Sequence, residues 1–357
     1  MWVQEIDMFI PFCFKNNNFI KSCRDYTNDY SICPKYLIDM TLSGKFLGKR
    51  KKFFFDNCLL DQYPTSELEN NLRELIAKKY NVVSENIIFG AGCNGIFQNL
   101  IKIFFRQKNG NLVIPFYSFS QPEYATSSFN AITKRVFCKN NYCLDFDAML
   151  KTIDKQTKAV FIANPNNPTG VYEDTEDIIN FAKSIKIPLI VSEASIEFSK
   201  KKSLLDCDCP DNLIIVRSFS KAYGFAGLRL GFAVLPQKYH SLYNQNTTRF
   251  EVSSLSMFLG LQNINNKEVD VNIEKVIKER EWLRESLKKI GIEMIRSNSN
   301  ILMSRDVYSD DFYAQLLKEG IGVVLVPNKN NQMHFRIAVQ NETTNKKFIL
   351  KMKEVKL

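Results

Sequence analysis

From residue 86 to residue 218 the chain alternates short apolar runs with longer stretches whose apolar positions recur every three or four residues. Asn86–Phe89, Asn111–Pro115, Lys158–Ala163, the run opening at Pro188 and Leu213–Val216 are apolar at consecutive positions, which predicts strands buried on both faces. Between them, Ile96, Leu100, Ile101 and Phe105 keep helical spacing, as does Glu173–Ile185. Upstream, Ser66–Tyr80 reads as a helix with Leu68, Leu72, Leu75 and Ile76 on one stripe, opened by a Ser66 cap. This alternation predicts an α/β fold, a mostly parallel sheet sandwiched by helices. Later, Lys267–Lys289 and Tyr313–Glu319 read as helices and Glu293–Ile301 and Met333–Ala338 as strands, a smaller α+β unit.

Composition narrows the class. With 357 residues, 45% of them hydrophobic, the chain can bury a large core. No apolar run is long enough to span a membrane, and the start lacks the basic flank and apolar stretch of a secretory leader, so a cytoplasmic protein is expected. Nine scattered cysteines fit reduced thiols better than a disulfide framework. Cys207 and Cys209 stand one residue short of a C-x-x-C clip, and no metal site is expected. The net charge of +10 is spread along the chain; Gly48–Lys52 is its one dense basic run, read as a solvated loop. The excess suits a small anionic substrate rather than nucleic acid. With His240 and His334 alone available, a histidine base or metal cluster has little material.

The candidate chemistry concentrates in Val216–Val234. Ser218 and Ser220 stand where a buried strand runs out, and both donate to an anion without adding charge. Arg229 can grip two oxygens of a phosphate with its planar fork. Lys221 lies between them, and an ammonium beside an arginine is pushed toward the neutral, nucleophilic form. Taken singly, these are a turn serine, a surface lysine and a salt-bridging arginine; the combination is far more specific. Two further stretches join it. Gly90-Ala-Gly-Cys-Asn-Gly95 precedes a helix, where glycines admit an anion to free N–H groups. Asn164-Pro-Asn-Asn-Pro-Thr-Gly170 follows a strand, with two prolines fixing the backbone and Asn167 aimed from it.

S-F-S-K with an arginine eight positions on, together with N-P-N-N-P-T-G, resembles fold-type I pyridoxal-phosphate enzymes. The likeness is strongest to the histidinol-phosphate aminotransferase family, with threonine-phosphate decarboxylase as its near relative. The resemblance covers roughly residues 37–357 and implies pyridoxal 5'-phosphate as cofactor, joined to Lys221. Ser218, Ser220, Arg229 and the turn Gly90, Ala91, Gly92 and Cys93 would hold its phosphate, and Asn167 its ring oxygen. Tyr63, in the Tyr-Pro pair, would reach the cofactor phosphate of the other subunit of a homodimer. Arg336, in Met333–Ala338, would clamp the substrate's carboxylate or equivalent anion. The implied organisation is an N-terminal arm with part of the small domain over 1–45, a cofactor-binding domain over 46–250 and the rest of the small domain over 251–357.

The chain also departs from the family pattern. Ser43-Gly-Lys-Phe46 replaces the family's Asn-Glu-Asn-Pro run, and no acidic pair follows the Gly90 turn. Ser120 falls where an aromatic ring stacks on the cofactor, leaving Phe119 or Tyr117 for that role. Ser192 and Ser195 stand where the family has the aspartate that pairs with the pyridine nitrogen and the tyrosine that bonds the ring oxygen. Strand alternation turns Glu193 away from Ser192's side, so it cannot substitute.

The resulting expectation is an aminotransferase acting on a small, phosphorylated amine or amino acid. A decarboxylase of a phospho-amino acid is the alternative reaction. The three serine replacements motivate a second class, a binding or scaffold protein of the same fold with weakened catalysis.

Overall fold

The structure is a computed structural model that describes residues 38–49, 53, 58–107 and 109–355. Residues 1–37, with Cys13, Cys23 and Cys33, and residues 50–52 at the end of the basic run lie outside the described residues.

The strands are β1 (Ile38–Asp39), β2 (Ile87–Ala91), β3 (Asn111–Pro115), β4 (Ile132–Val136), β5 (Thr157–Ala163), β6 (Leu189–Ser192), β7 (Leu213–Ser218), β8 (Leu230–Val234), β9 (Ile301–Met303), β10 (Ile321–Gly322), β11 (Val324–Pro327) and β12 (Met333–Ala338). Seven form one sheet in the order β2-β8-β7-β6-β5-β3-β4. From β4 to β7 neighbours run parallel, and β8 is antiparallel to both β7 and β2. The connection from β7 to β8 is too short for a crossover helix, which forces the reversal. β11, β12 and β9 form an antiparallel sheet of three.

Alternate residues of the central strands enter two cores, as the unbroken apolar runs require. Val160, Ile162, Val191 and Ile215 pack on one face with Leu72, Ile76, Ile178 and Phe181. Phe161, Ile190, Ile214 and Val216 pack on the other with Ile96, Phe97, Leu100 and Ile101. The first group of helical residues comes from α1 (Ser66–Tyr80) and α3 (Thr175–Ser184), the second from α2 (Gly92–Phe104). The mostly parallel sheet between helices agrees with the expectation.

Three local expectations are corrected. The α1 cap is Thr65, whose hydroxyl accepts from Leu68 N at 3.2 Å. β2 runs on through Ala91, so Gly90 is a strand residue paired with Gly231, and the turn begins at Gly92. Of residues 293–300 only Met294 forms a bridge, to Ser304, and the strand is Ile301–Met303. The backbone between is drawn elsewhere: Asn298 N donates to Gly170 O at 2.7 Å. β4, with mostly half-buried or exposed positions, is an edge strand that no apolar run marks.

Candidate functional site

A cavity of about 1080 Å³ opens where β5, β6 and β7 end, the usual place for a ligand in a doubly wound sheet. Ala163, Ser192 and Ser218 bring those strand ends to its floor, and Arg336 and Leu325 bring the three-stranded sheet to its opposite wall.

Lys221 lies three residues beyond the end of β7, half-buried in this wall. Burial lowers its pKa to about 8, helped by the Arg336 and Arg229 charges and opposed by Cys93. A sizeable fraction is therefore neutral near physiological pH, as a nucleophilic amine requires. Its Nζ donates to Ser43 Oγ at 2.6 Å.

Beside it, Arg229 Nη1 donates to Ala226 O at 3.0 Å and Nη2 to Ala91 O at 3.3 Å. Gly92 opens α2 with φ +69°, and a Cβ there would lie 2.6 Å from Arg229 Nη2. Only glycine combines that backbone with that approach. Ser218 Oγ accepts from Ser220 N at 3.0 Å. Cys93 is buried, its thiol pushed up to about 11 by that burial. Guanidinium, hydroxyls and the N-terminus of a helix thus converge beside one amine.

Asn167 and Phe119 line the cavity, whereas Tyr117 is turned away against Tyr142 and His334. Ser192 and Ser195 line its floor and are buried. Glu193 points to the other face, where it is fully buried and 3.4 Å from Arg217. Arg336 Nη2 donates to Thr41 O at 2.6 Å. Gly90 backs onto Ile96 rather than the cavity. Tyr63 stands outside this chain's cavity, 76% exposed and stacked on Phe250 at 4.8 Å.

Sequence reasoning missed Ser43, Ser299, Asn300 and Gln340, all lining the cavity. They come from far along the chain in loops without periodicity; the unusual Ser43-Gly-Lys-Phe46 run was the one available signal. Ser299 Oγ donates to Ser195 Oγ at 2.9 Å. Among the described lining residues Asp39 is the sole carboxylate, against Lys45, Lys221, Arg229 and Arg336. The walls favour an anion.

Pyridoxal 5'-phosphate offers one phosphate and one aldehyde, and this donor set matches both: an electropositive cradle held open by Gly92 and a partly neutral amine next to it. The fold and site together define a pyridoxal-phosphate-dependent transferase of fold type I. The chain belongs to the aminotransferase class I and II family, which residues 49–351 match. It is similar to the histidinol-phosphate aminotransferase of Thermoanaerobacter pseudethanolicus, 33% identical over 260 residues, 72% of this chain and 73% of that one. The fold is similar to histidinol-phosphate aminotransferase from Sinorhizobium meliloti in complex with pyridoxal-5'-phosphate, with TM-score 0.78, 17% identity, and 89% and 90% of the two chains covered. It is also similar to L-threonine-O-3-phosphate decarboxylase from Porphyromonas gingivalis, with TM-score 0.70, 18% identity, and 89% and 99% covered. Among the described residues no helix is long and apolar enough to cross a membrane, and no group of three or more His, Cys, Asp or Glu could hold a metal ion.

Proposed function

We propose that this aminotransferase acts on a small amine or amino acid that carries a phosphate, and that Lys221 is its catalytic residue. The observation that carries the reading is the Lys221 amine, its pKa lowered to about 8, in a cavity whose described lining residues include four cations and one carboxylate. The phosphate on the substrate is supported by the named activity of the curated relative and by that excess of positive charge.

In this reading Lys221 would hold the cofactor at its aldehyde, and its partly neutral amine would take up and return the proton at the substrate's α-carbon. The cofactor, when bound, supplies the electron sink for the charge left at that carbon. Ser218, Ser220, Arg229 and the N–H groups of Gly92 and Cys93 hold the phosphate. Asn167 and Ser195 would serve the ring oxygen, Phe119 would supply an apolar face for the ring, and Ser192 would offer the ring nitrogen only a neutral hydroxyl. Arg336 takes a substrate anion. Residues 46–250 would form the cofactor-binding domain, with 1–45 and 251–357 the smaller one. The working unit would be a cytoplasmic homodimer in which Tyr63 serves the partner's cofactor, an assignment supported by that ring's exposure.

A panel of phosphorylated amines and amino acids, offered with a 2-oxo acid acceptor and scored by the spectral change of the bound cofactor, tests this. Keto product is expected from a phosphorylated donor, together with a yellow band that Lys221→Ala abolishes. Carbon dioxide without keto product would overturn transamination in favour of decarboxylation, and a yellow band that survives Lys221→Ala would overturn the lysine's role.

A further inference from the structure

The hydroxyl that meets the Lys221 amine comes from none of the motifs around it. Ser43 Oγ accepts from Lys221 Nζ at 2.6 Å, across 178 residues of sequence. Its segment is pegged at three successive carbonyls by buried side chains: Thr41 O accepts from Arg336 Nη2 at 2.6 Å, Leu42 O from Gln340 Nε2 at 3.0 Å and Ser43 O from Asn300 Nδ2 at 2.5 Å. A Cβ at Gly44 would meet Ala226 Cβ at 2.8 Å, so the segment also packs directly on the loop that carries Lys221. So tight a seat holds the hydroxyl where the amine needs it.

The charged and titratable groups acting on Nζ are Arg336 from β12, Arg229 ahead of β8 and the Cys93 thiol from α2. Lys45 and the Asp39 carboxylate stand elsewhere in the same cavity, Asp39 Oδ1 accepting from Thr41 N at 2.8 Å. Both guanidinium groups disfavour an ammonium at Nζ, and Ser43 is the neutral acceptor that favours it. A hydrogen bond donated by a charged group is stronger than one donated by its neutral form.

We propose that Ser43 is a positioning residue for Lys221: its hydroxyl holds the amine whenever it is not joined to the cofactor, and sets the pH at which that amine becomes a nucleophile. The proposal rests on the reading of Lys221 as the cofactor amine. It concerns the free lysine, so the cofactor-free protein reports on it directly.

The experiment mixes apo-protein with pyridoxal 5'-phosphate from neutral to alkaline pH and times the growth of the yellow band. In the wild type the rate rises as the lysine loses its proton. Without the acceptor the ammonium is less favoured, so in Ser43→Ala the midpoint moves to lower pH by roughly half a unit to one unit. Ser43→Thr, which keeps the hydroxyl, returns it toward wild type. Ser43→Val, isosteric with the threonine variant but without an acceptor, carries the alanine expectation should that protein not fold. A Ser43→Ala midpoint that stays put or rises, or a Ser43→Thr protein displaced as far as the alanine one, overturns the proposal. Lys221→Ala separates the two layers: a yellow band that persists there sinks the reading of the lysine itself, whereas its loss with an unmoved Ser43→Ala midpoint sinks the role of Ser43 alone.

Discussion

Ser299 Oγ donates to Ser195 Oγ across 2.9 Å, tying the loop just beyond β6 to the segment ahead of β9. Ser192 offers the floor another neutral hydroxyl, and among the described residues Asp39, beside Thr41, is the one carboxylate that lines the cavity.

Ser192→Asp therefore tests the assignment of the ring nitrogen. A carboxylate there would form a charge-assisted bond to a protonated nitrogen, against a neutral bond from serine, and tighten cofactor retention on the order of tenfold. Ser192 is only 5% exposed, so without cofactor the new carboxylate is desolvated and the apo-protein should melt earlier. Absorbance titration gives the first quantity and thermal unfolding with and without cofactor the second. Weaker retention would mean that the ring nitrogen lies elsewhere.

Gly92→Ala addresses the phosphate cradle. The φ of +69° costs an alanine about 1 to 2 kcal/mol, and its Cβ would stand 2.6 Å from Arg229 Nη2 unless that guanidinium moved. With Arg229 as the proposed forked phosphate donor, displacing it should raise the cofactor Kd at least about tenfold. The cofactor-free protein should lose little beyond the backbone cost. Spectral titration beside an unfolding curve distinguishes a damaged cradle from a damaged fold.

Lys221 should cost the apo-protein stability. Its pKa is lowered in the folded state, so the unfolded chain binds more protons between the folded value of about 8 and the ordinary lysine range. Stability rises with pH through that window and is lost as pH falls through the folded value. Lys221→Met removes the penalty and should stabilise the apo-protein by about 2 kcal/mol at neutral pH, allowing for the side chain's partial exposure. The gain should vanish above the ordinary lysine pKa. Denaturant titrations at neutral and strongly alkaline pH check both halves.

The strands and the two motif-bearing loops could be read in the sequence because their signals are local. Apolar runs mark β3, β5, β6 and β7, and the strings around Asn167 and Lys221 hold their chemistry within a few residues. The opposite wall could not be read that way. Ser43, Asn300 and Gln340 meet the cavity through contacts spanning hundreds of residues, between loops whose composition says only that they are polar. Phe119 and Tyr117 were equal candidates by position; the structure separates them because Tyr117 spends its hydroxyl on His334 Nε2, at 3.2 Å. β9 begins later than the apolar pattern predicts: ahead of it Ser299 N donates to Ser297 Oγ and Asn298 N to Gly170 O, which takes that backbone out of a ladder.

On the opposite face of the sheet, the Glu193 side chain depends on Arg217. Arg217 is 3% exposed and lies 3.4 Å from Glu193 Oε2 and 2.8 Å from Glu197 Oε1, with the Tyr80 ring beneath it at 4.8 Å. Burial holds the Glu193 carboxyl above its ordinary range, and Arg217 opposes that rise. Arg217→Met removes the opposing charge and leaves a fully buried carboxylate, for which the loss should be about 3 to 5 kcal/mol at neutral pH. The sign of its pH dependence follows from the raised pKa: a carboxyl that protonates more readily folded than unfolded favours the fold below its unfolded pKa, and loses that advantage as pH rises through the folded value. The deficit of Arg217→Met should therefore shrink toward acid and be largest above neutrality. Adding Glu193→Gln should recover part of it, because glutamine can still accept from Leu204 N, which donates to Glu193 Oε1 at 2.8 Å, without a buried charge. Urea unfolding of both proteins at acid and neutral pH measures the pattern; a deficit independent of pH would place the cost in lost packing on Tyr80 instead.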